Sequence, residues 1–299
     1  MRDYNISLVI CTYNRAKFIG EALESLANQT ILSRHFEIII VNNNCADNTE
    51  DICLTFIDNH PHLDIKYIIE TNQGLSYARN RGIAESQYEI ITYIDDDAYT
   101  EANFLTIIRN FFIANPTAIG VGGKVIPRYE IEEPIWMNPY LDGFVAKLDM
   151  GDKRIRFGKN QYPVGCNMTY TKEILQKVGG FNTKLKWRAD DKYIGIQVRE
   201  YSDEVYYLPD LVVEHSIDSY RTTDENFKSF CLKFGNEEAT RVRDISLLSF
   251  ILKGLEFAFK LLGSIILMVI FFLKGEFSKG MYTFKYRWWA TLGFLRGFN

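Results

Sequence analysis

The chain lacks the usual nucleotide fingerprints: no GxGxxG follows the first apolar run, and no GxxxxGK[ST] occurs anywhere. Without glycines that let backbone approach a pyrophosphate, the dinucleotide and P-loop readings lose their basis. Cysteine is scarce and unpaired. Cys11, Cys45, Cys53, Cys166 and Cys231 show no CxxC spacing, which excludes a zinc ribbon or a vicinal redox pair. With no secretion signal evident, free thiols in reducing cytosol are expected. His35, His60, His62 and His215 are too scattered to suggest a zinc centre. A long uncharged run is also missing. Leu261–Leu273 is 13 residues, against the roughly 20 that a spanning helix needs.

What is present is an ordinary folded composition with an uneven charge. At 299 residues, 47% hydrophobic and 24% charged, the chain has the makings of a large core. Residues 1–240 carry 25 Lys+Arg against 35 Asp+Glu, a net of −10, whereas residues 241–299 carry 9 against 3, a net of +6. A basic, apolar tail on an acidic body points to an anionic membrane surface and away from nucleic acid.

Along the chain, short apolar runs alternate with helical periodicity. Asn5–Thr12 reads as a buried strand, and Ala16–Gln29 places Phe18, Ile19, Ala22, Leu23, Leu26 and Ala27 on one helical face. Strands are expected at Phe36–Val41, Ile65–Ile69 and Ala118–Val125, with helices near 49–59, after Asn72 and near 101–113. This pattern predicts an α/β fold with a largely parallel sheet. From Pro127 to Gln161 periodicity fades, as in a mobile excursion or substrate-specific loop. Val164–Tyr170 restores order, a helix opens at Asp190-Asp191, and two strands are expected at Val205–Pro209 and Leu211–His215. Arg243–Leu273 reads as one long helix or two. Membrane-interfacial, spanning and soluble-packing readings of this tail stay open, the short uncharged run favouring the interfacial one.

The stretch that carries chemistry is Ile90-Ile-Thr-Tyr-Ile-Asp-Asp-Asp-Ala-Tyr99. Three adjacent carboxylates at the end of a buried strand repel one another unless something positive binds. A hard divalent cation, Mn2+ or Mg2+, suits such oxygen ligands and would in turn hold phosphates. The plainer alternative is a solvated acidic loop capping the next helix.

With these pieces in order, the chain resembles the family 2 glycosyltransferases of the GT-A fold over about residues 4–235. The matching stretches are Ile10-Cys-Thr-Tyr-Asn-Arg15, Glu37–Asn43 leading to Asp47-Asn-Thr49, Asn72–Gly82 and Tyr93–Asp97. Further on come Gly165-Cys-Asn-Met168, Gly179-Gly-Phe-Asn182, Asp190-Asp191, and His215 with Arg221. The resemblance implies a GT-A nucleotide-diphospho-sugar transferase fold, with a mostly parallel mixed sheet and a helical, membrane-associating tail. The division expected is a catalytic domain over 1–240 and a basic apolar tail over 241–299. Within the former, 1–126 would hold donor nucleotide and metal, and 127–240 the acceptor.

The implied activity is transfer of a sugar from a nucleoside-diphosphate donor, UDP-sugar first, to an acceptor hydroxyl with inversion. Thr12, Tyr13, Asn14, Arg15, Asn42 and Asn72 would cradle the donor. Asn42 stands where the family usually has an Asp that reads the base, so thymine or guanine donors stay open. Asn44, Cys45 and Ala46 replace a Gly-Ser-Thr-like turn. Asp97 would meet the metal most directly, with Asp95 on the metal or donor hydroxyls and Asp96 nearby. His215 is a third metal ligand, a diphosphate contact or a core histidine, and Arg221 a phosphate partner or a loop fastener. Arg79 would neutralise phosphate or fasten the metal loop. The base is Asp191 if Asp190-Asp191 matches the family's Glu-Asp pair, or Asp190 if Ala189-Asp190 does. Trp187 either stacks on a sugar or fills core. The expected setting is the cytoplasmic face of the cell membrane, peripheral or monotopic, on a glycan or lipid-linked acceptor in cell-surface polysaccharide synthesis. A sugar nucleotidyltransferase and a non-catalytic sugar-nucleotide scaffold are the alternatives. The first lacks its basic Gly-rich loop, and the second leaves the complete acidic triplet unexplained.

Overall fold

A computed structural model describes residues 4–185 and 190–297. Trp187 and Ala189, weighed above, lie outside the described residues. The chain forms two compact units. Described residues 4–126, 148–185 and 190–215 belong to the first, and 127–147 and 216–297 to the second.

The first unit opens with β1 (Ile6–Thr12), α1 (Ile19–Ala27), β2 (Phe36–Asn42), α2 (Thr49–Asn59), β3 (Ile65–Ile69), α3 (Leu75–Glu85) and β4 (Ile90–Asp95). There follow β5 (Ala98–Thr100), α4 (Phe104–Ala114), β6 (Gly120–Tyr129), β7 (Ile155–Arg156), β8 (Met168–Thr171), α5 (Lys172–Lys177), α6 (Asp190–Tyr201) and β9 (Val205–Ile217). The strands form one sheet in the order β3-β2-β1-β4-β8-β6-β9-β5, with β7 on β9. β3, β2, β1 and β4 run parallel, while β8 is antiparallel to both β4 and β6. The sheet is therefore mixed, with its parallel half at the N-terminal end of the chain.

Period-two alternation sorts the apolar runs into two layers. Ile6, Leu8 and Ile10 of β1 pack in one core with Ile19, Ala22, Leu23 and Leu26 of α1 and with α4. Val9 of β1 and Ile39 and Val41 of β2 pack on the other side with Ala78, Ile174 and Ile194, from α3, α5 and α6. Burial on both faces explains why these strands read as continuous apolar runs. The carboxyl ends of the parallel strands then share one edge, where Thr12 registers with Asn42 and Cys11 with Asp95.

Two strand expectations are corrected. Val205–Ile217 is one 13-residue strand running through Pro209, its two halves pairing with different partners, Tyr206 and Tyr207 with β7 and Val213–His215 with β5. β5 itself was not foreseen: three residues inside an expected loop become a strand because β9 supplies the missing partner.

The second unit is built from α7 (Asp224–Arg243), α8 (Leu247–Leu273), α9 (Phe277–Arg296) and residues 127–147. The helices have legible boundaries. Thr223 accepts from the Asn226 N–H to cap α7, Ser246 accepts from the Ser249 N–H to cap α8, and Gly275, at φ 76°, ends α8. The segment expected as a mobile loop is packed over its first part. Trp136 stacks on Tyr282 of α9 at 4.4 Å, and Phe144 lies edge-on to Phe227 and Phe230 of α7 at 5.0 and 4.7 Å. Its aromatics lack helical spacing because they fill gaps between helices rather than form a face of their own.

Candidate active site

The loops after β1 and β2 are knitted to each other. Thr12 is buried and Tyr13 is half exposed. Asn14 adopts a left-handed φ of 53°, which asparagine tolerates better than most residues. Its Oδ1 accepts from the Ala46 N–H at 2.7 Å, while the Arg15 and Ala16 N–H groups donate to Thr49 Oγ1 (3.0 Å) and Asp47 Oδ2 (3.1 Å). Asp47 thus ties the loops together, and the hydrogen bond from the Thr49 hydroxyl leads the effects that hold its carboxyl below the usual range, followed by those from the Ala16 and Thr49 N–H groups.

Asn42 uses both ends of its amide within the protein. Oδ1 accepts from the Cys45 N–H at 2.8 Å, and Nδ2 donates to the Tyr67 hydroxyl at 2.6 Å. An aspartate here could keep a bond to Tyr67 only in the reverse direction, accepting from the phenolic hydroxyl, because an ionised carboxylate only accepts. Tyr67 is a neighbour of this position that sequence reasoning missed. Asn43 was missed too: its side chain bonds the Gly74 N–H and the carbonyls of Glu70 and Asn72, tying β2 to the loop before α3. Asn72 itself bonds Glu70 Oε1 through both its backbone N–H and Nδ2, at 2.7 and 2.8 Å.

The acidic triplet ends β4. Asp95 is half-buried, and Asp96 and Asp97 are 7% and 4% exposed. The short β5 then pairs antiparallel with β9, setting Ala98 opposite His215. That register carries the imidazole to Asp97, with Nε2 3.2 Å from Oδ1. Ligand atoms of Asp95, Asp97 and His215 all lie within 4.8 Å of one another. Arg15 reaches the same carboxylates, its Nη2 3.2 Å from Asp97 and its Nε 3.5 Å from Asp96. The negative charge still dominates. Burial first, and then the neighbouring Asp97, push the Asp96 carboxyl up to about 8, with Arg15 opposing both. Carboxylates crowded in this way, with an imidazole beside them, fit a divalent cation. The nitrogen donor suits Mn2+ better than Mg2+.

Arg79 links this cluster to α6. It is 2% exposed, with Nη2 3.1 Å from Asp95 Oδ1 and Nη1 bonded to Asp190 Oδ2. The Tyr93 and Phe181 rings lie 5.9 and 5.6 Å from its guanidinium carbon. Gly165 makes room for it, since a Cβ there would lie 2.7 Å from Nη2. Asp190, 4% exposed, is thus a buried partner of Arg79. Asp191 is half-buried and accepts from the Gly165 N–H at 3.2 Å and the Lys192 N–H at 2.7 Å. Adjacent carboxylates with one motif-level description are therefore in different environments. Arg221 lies in the second unit, where Nη1 donates to the Ser216 carbonyl at 3.3 Å.

All five cysteines are free thiols. Burial is the first cause that pushes Cys11 and Cys166 upward and takes Cys53 to about 12, which leaves them poor nucleophiles.

Residues 7–179 match glycosyl transferase family 2. The chain belongs to that family. It is 26% identical over 230 residues to the glucosyl-dolichyl phosphate glucuronosyltransferase of Haloferax volcanii, covering 73% of this chain and 71% of that one. It is 40% identical over 101 residues to the putative glycosyltransferase EpsH of Bacillus subtilis, covering 33% of this chain and 28% of the relative. Among solved structures, the mannosyltransferase PcManGT from Pyrobaculum calidifontis, in complex with GDP-Man and Mn2+, aligns with a TM-score of 0.62 at 18% identity. S. aureus TarS 1-349 in complex with UDP aligns with a TM-score of 0.58 at 19% identity. These alignments cover 82% and 78% of this family 2 chain but only 64% and 65% of the solved ones, and at such identities they speak for the fold alone. The fold is GT-A-like, and the chain carries an apolar C-terminal helix consistent with membrane association.

Proposed function

We propose that this family 2 protein is a metal-assisted, inverting glycosyltransferase that moves a sugar from a UDP-sugar to a hydroxyl of a glycan or lipid-linked acceptor. The observation that carries the reading is the convergence of Asp95, Asp97 and His215 beside the buried Arg79, at the carboxyl edge of the parallel strands, where α/β sheets take their ligands. Thr12, Tyr13, Asn14, Arg15, Asn42 and Asn72 line the donor end of the reading. Tyr67 joins them as the group that fixes the Asn42 amide.

Asp97, Asp95 and His215 would hold Mn2+ or Mg2+, which when bound offsets charge gathering on the diphosphate leaving group. Asp96 lies in the same acidic pocket. Arg15 and Arg79 add fixed positive charge on either side of the acids. The general base is Asp191. A base must reach the attacking hydroxyl and take its proton, and Asp191 combines partial exposure with two N–H groups that orient it. Asp190 is committed to Arg79 instead.

The relative named for glucuronosyl transfer to a glucosyl-dolichyl phosphate supports a lipid-linked acceptor. The basic apolar tail supports peripheral or monotopic work at the cytoplasmic membrane face. The test is a screen of the purified full chain in detergent against several sugar nucleotides and polyprenyl-phosphate acceptors, with Mn2+ and with EDTA. Metal-stimulated transfer supports the reading. Equal turnover in EDTA, or binding of sugar nucleotide without transfer to any acceptor, counts against it.

A further inference from the structure

We propose that the second unit binds anionic bilayers by laying α8 flat at the headgroup–acyl boundary, without spanning. This deepens the membrane reading above and rests on it. As a single helix of 27 residues, α8 is about 40 Å long at 1.5 Å per residue. That is enough to cross a hydrocarbon core of roughly 30 Å, and its mean hydropathy of 2.2 over 18 residues also meets the need. Length therefore does not exclude a span, although the 13-residue uncharged run had suggested that it would. The neighbours do.

The exposed side of α8 is an apolar stripe spanning roughly 140°, from Leu247 and Ile265 on one margin to Leu252 and Ile270 on the other. Leu248, Leu255, Phe259, Leu262, Ile266 and Leu273 are each more than 60% exposed, and at 100° per residue they fall within roughly 60° of one another. Phe250, Phe257 and Ser264, the buried positions, fall on the opposite side. There α9 runs antiparallel along α8. Phe294 stacks on Phe250 and Phe257 at 4.8 Å each, Phe277 meets Phe272 at 5.0 Å, and Gly280 lies against Met268 and Phe271. α7 is locked to α9 in turn, since a Cβ at Gly235 would lie 2.0 Å from the Ala290 carbonyl oxygen and one at Gly293 2.1 Å from that of Leu232.

A spanning α8 would therefore carry α9 into the membrane beside it. Lys285 and Arg287 lie midway along α9, so they would enter the depth at which charge is most costly. Laid flat, the same bundle puts only the apolar stripe into lipid. Lys253, Glu256 and Lys260 run along one flank of α8 as an ion-paired row, while exposed Arg243 and Lys274 bracket its ends. The +6 charge of residues 241–299 complements anionic headgroups.

The experiment floats the full chain with phosphatidylserine/phosphatidylcholine vesicles and measures lipid-quenching depth of a fluorophore placed singly at Leu248→Cys, Leu262→Cys and Leu273→Cys, in a background with Cys45→Ser. Flotation with three equal shallow depths is the expected result. Phe259→Glu with Ile266→Glu should lower the bound fraction about 10-fold, and raising NaCl from 0.1 to 0.5 M should weaken binding several-fold. An unchanged helical circular-dichroism signal and thermal melt of the double variant report that the helical unit still folds. A deep middle probe with shallow ends would mean a span. Absence of flotation, or a dimer in solution abolished by the same double variant, would mean that α8 covers protein rather than lipid. Each of these outcomes overturns the proposal, and none depends on sugar transfer, so failure of either reading is distinguishable.

Discussion

Asp190 and Asp191 adjoin in sequence, yet their asparagine variants should fail in different ways. Asp190→Asn removes a charge buried to 4% exposure and leaves Arg79, itself 2% exposed, with its ion pair to Asp95 among the described residues. Breaking a buried pair from one side costs about 3–5 kcal/mol. For a unit of 150–250 residues that corresponds to a fall in Tm of roughly 6–20 °C, the lower part applying here because Asp95 still neutralises part of the guanidinium. Asp191→Asn keeps an amide oxygen for the Gly165 or Lys192 N–H but cannot take a proton. It should leave Tm nearly unchanged and lower kcat by about 10²–10⁴-fold. Calorimetry with and without UDP and Mn2+ identifies the transition of the nucleotide-binding unit, since a ligand raises only the unit that binds it. Turnover at saturating donor completes the comparison. An Asp190→Asn protein with parental Tm and lost turnover, beside an active Asp191→Asn protein, would refute the division of roles.

Asp97→Ala should weaken UDP binding more than 10-fold in Mn2+ and little in EDTA by calorimetric titration, and equal affinities in Mn2+ for variant and parent would sink the metal assignment. His215→Gln should raise the Mn2+ concentration for half-maximal turnover while leaving UDP affinity in EDTA alone, a result that a purely structural histidine would not produce. Gly165→Ala places a methyl 2.7 Å from Arg79 Nη2 and should lower both Tm and kcat, whereas Gly143→Ala, whose added Cβ meets nothing within 4 Å, should be neutral by the same two assays. Among the first unit's thiols Cys45, half-buried beside Asn14, should react first with a thiol reagent at pH 8, and UDP should slow it; faster labelling of Cys53, which burial takes to about 12, would contradict the packing.

Much of the N-terminal part of the first unit was legible because it is local. Continuous apolar runs marked β1, β2 and β4, and a helical stripe at Ile19, Ala22, Leu23 and Leu26 marked α1. Asp95-Asp-Asp97 stood out because three carboxylates on a buried strand need a reason. The period-two and 3.6-residue patterns act within one segment, so one segment is enough to read them. By itself, then, the sequence determined the α/β character, the order of elements, the acidic edge and the charge contrast of the tail.

Tertiary structure decided what depends on pairing across distance. His215 lies 118 residues beyond Asp97 and meets it only because the three-residue β5 finds β9. Asp190 and Asp191 share one sequence environment, and only the guanidinium of Arg79, 111 residues away, separates them. The Asn42 amide is fixed by Tyr67 from the next strand over. In the tail, composition recorded an apolar basic segment, but whether α8 crosses a membrane turns on the charged helix packed along it. Long-range register and the identity of a buried charge's partner leave no period in the local sequence, because the energy that selects them is realised only when the elements meet.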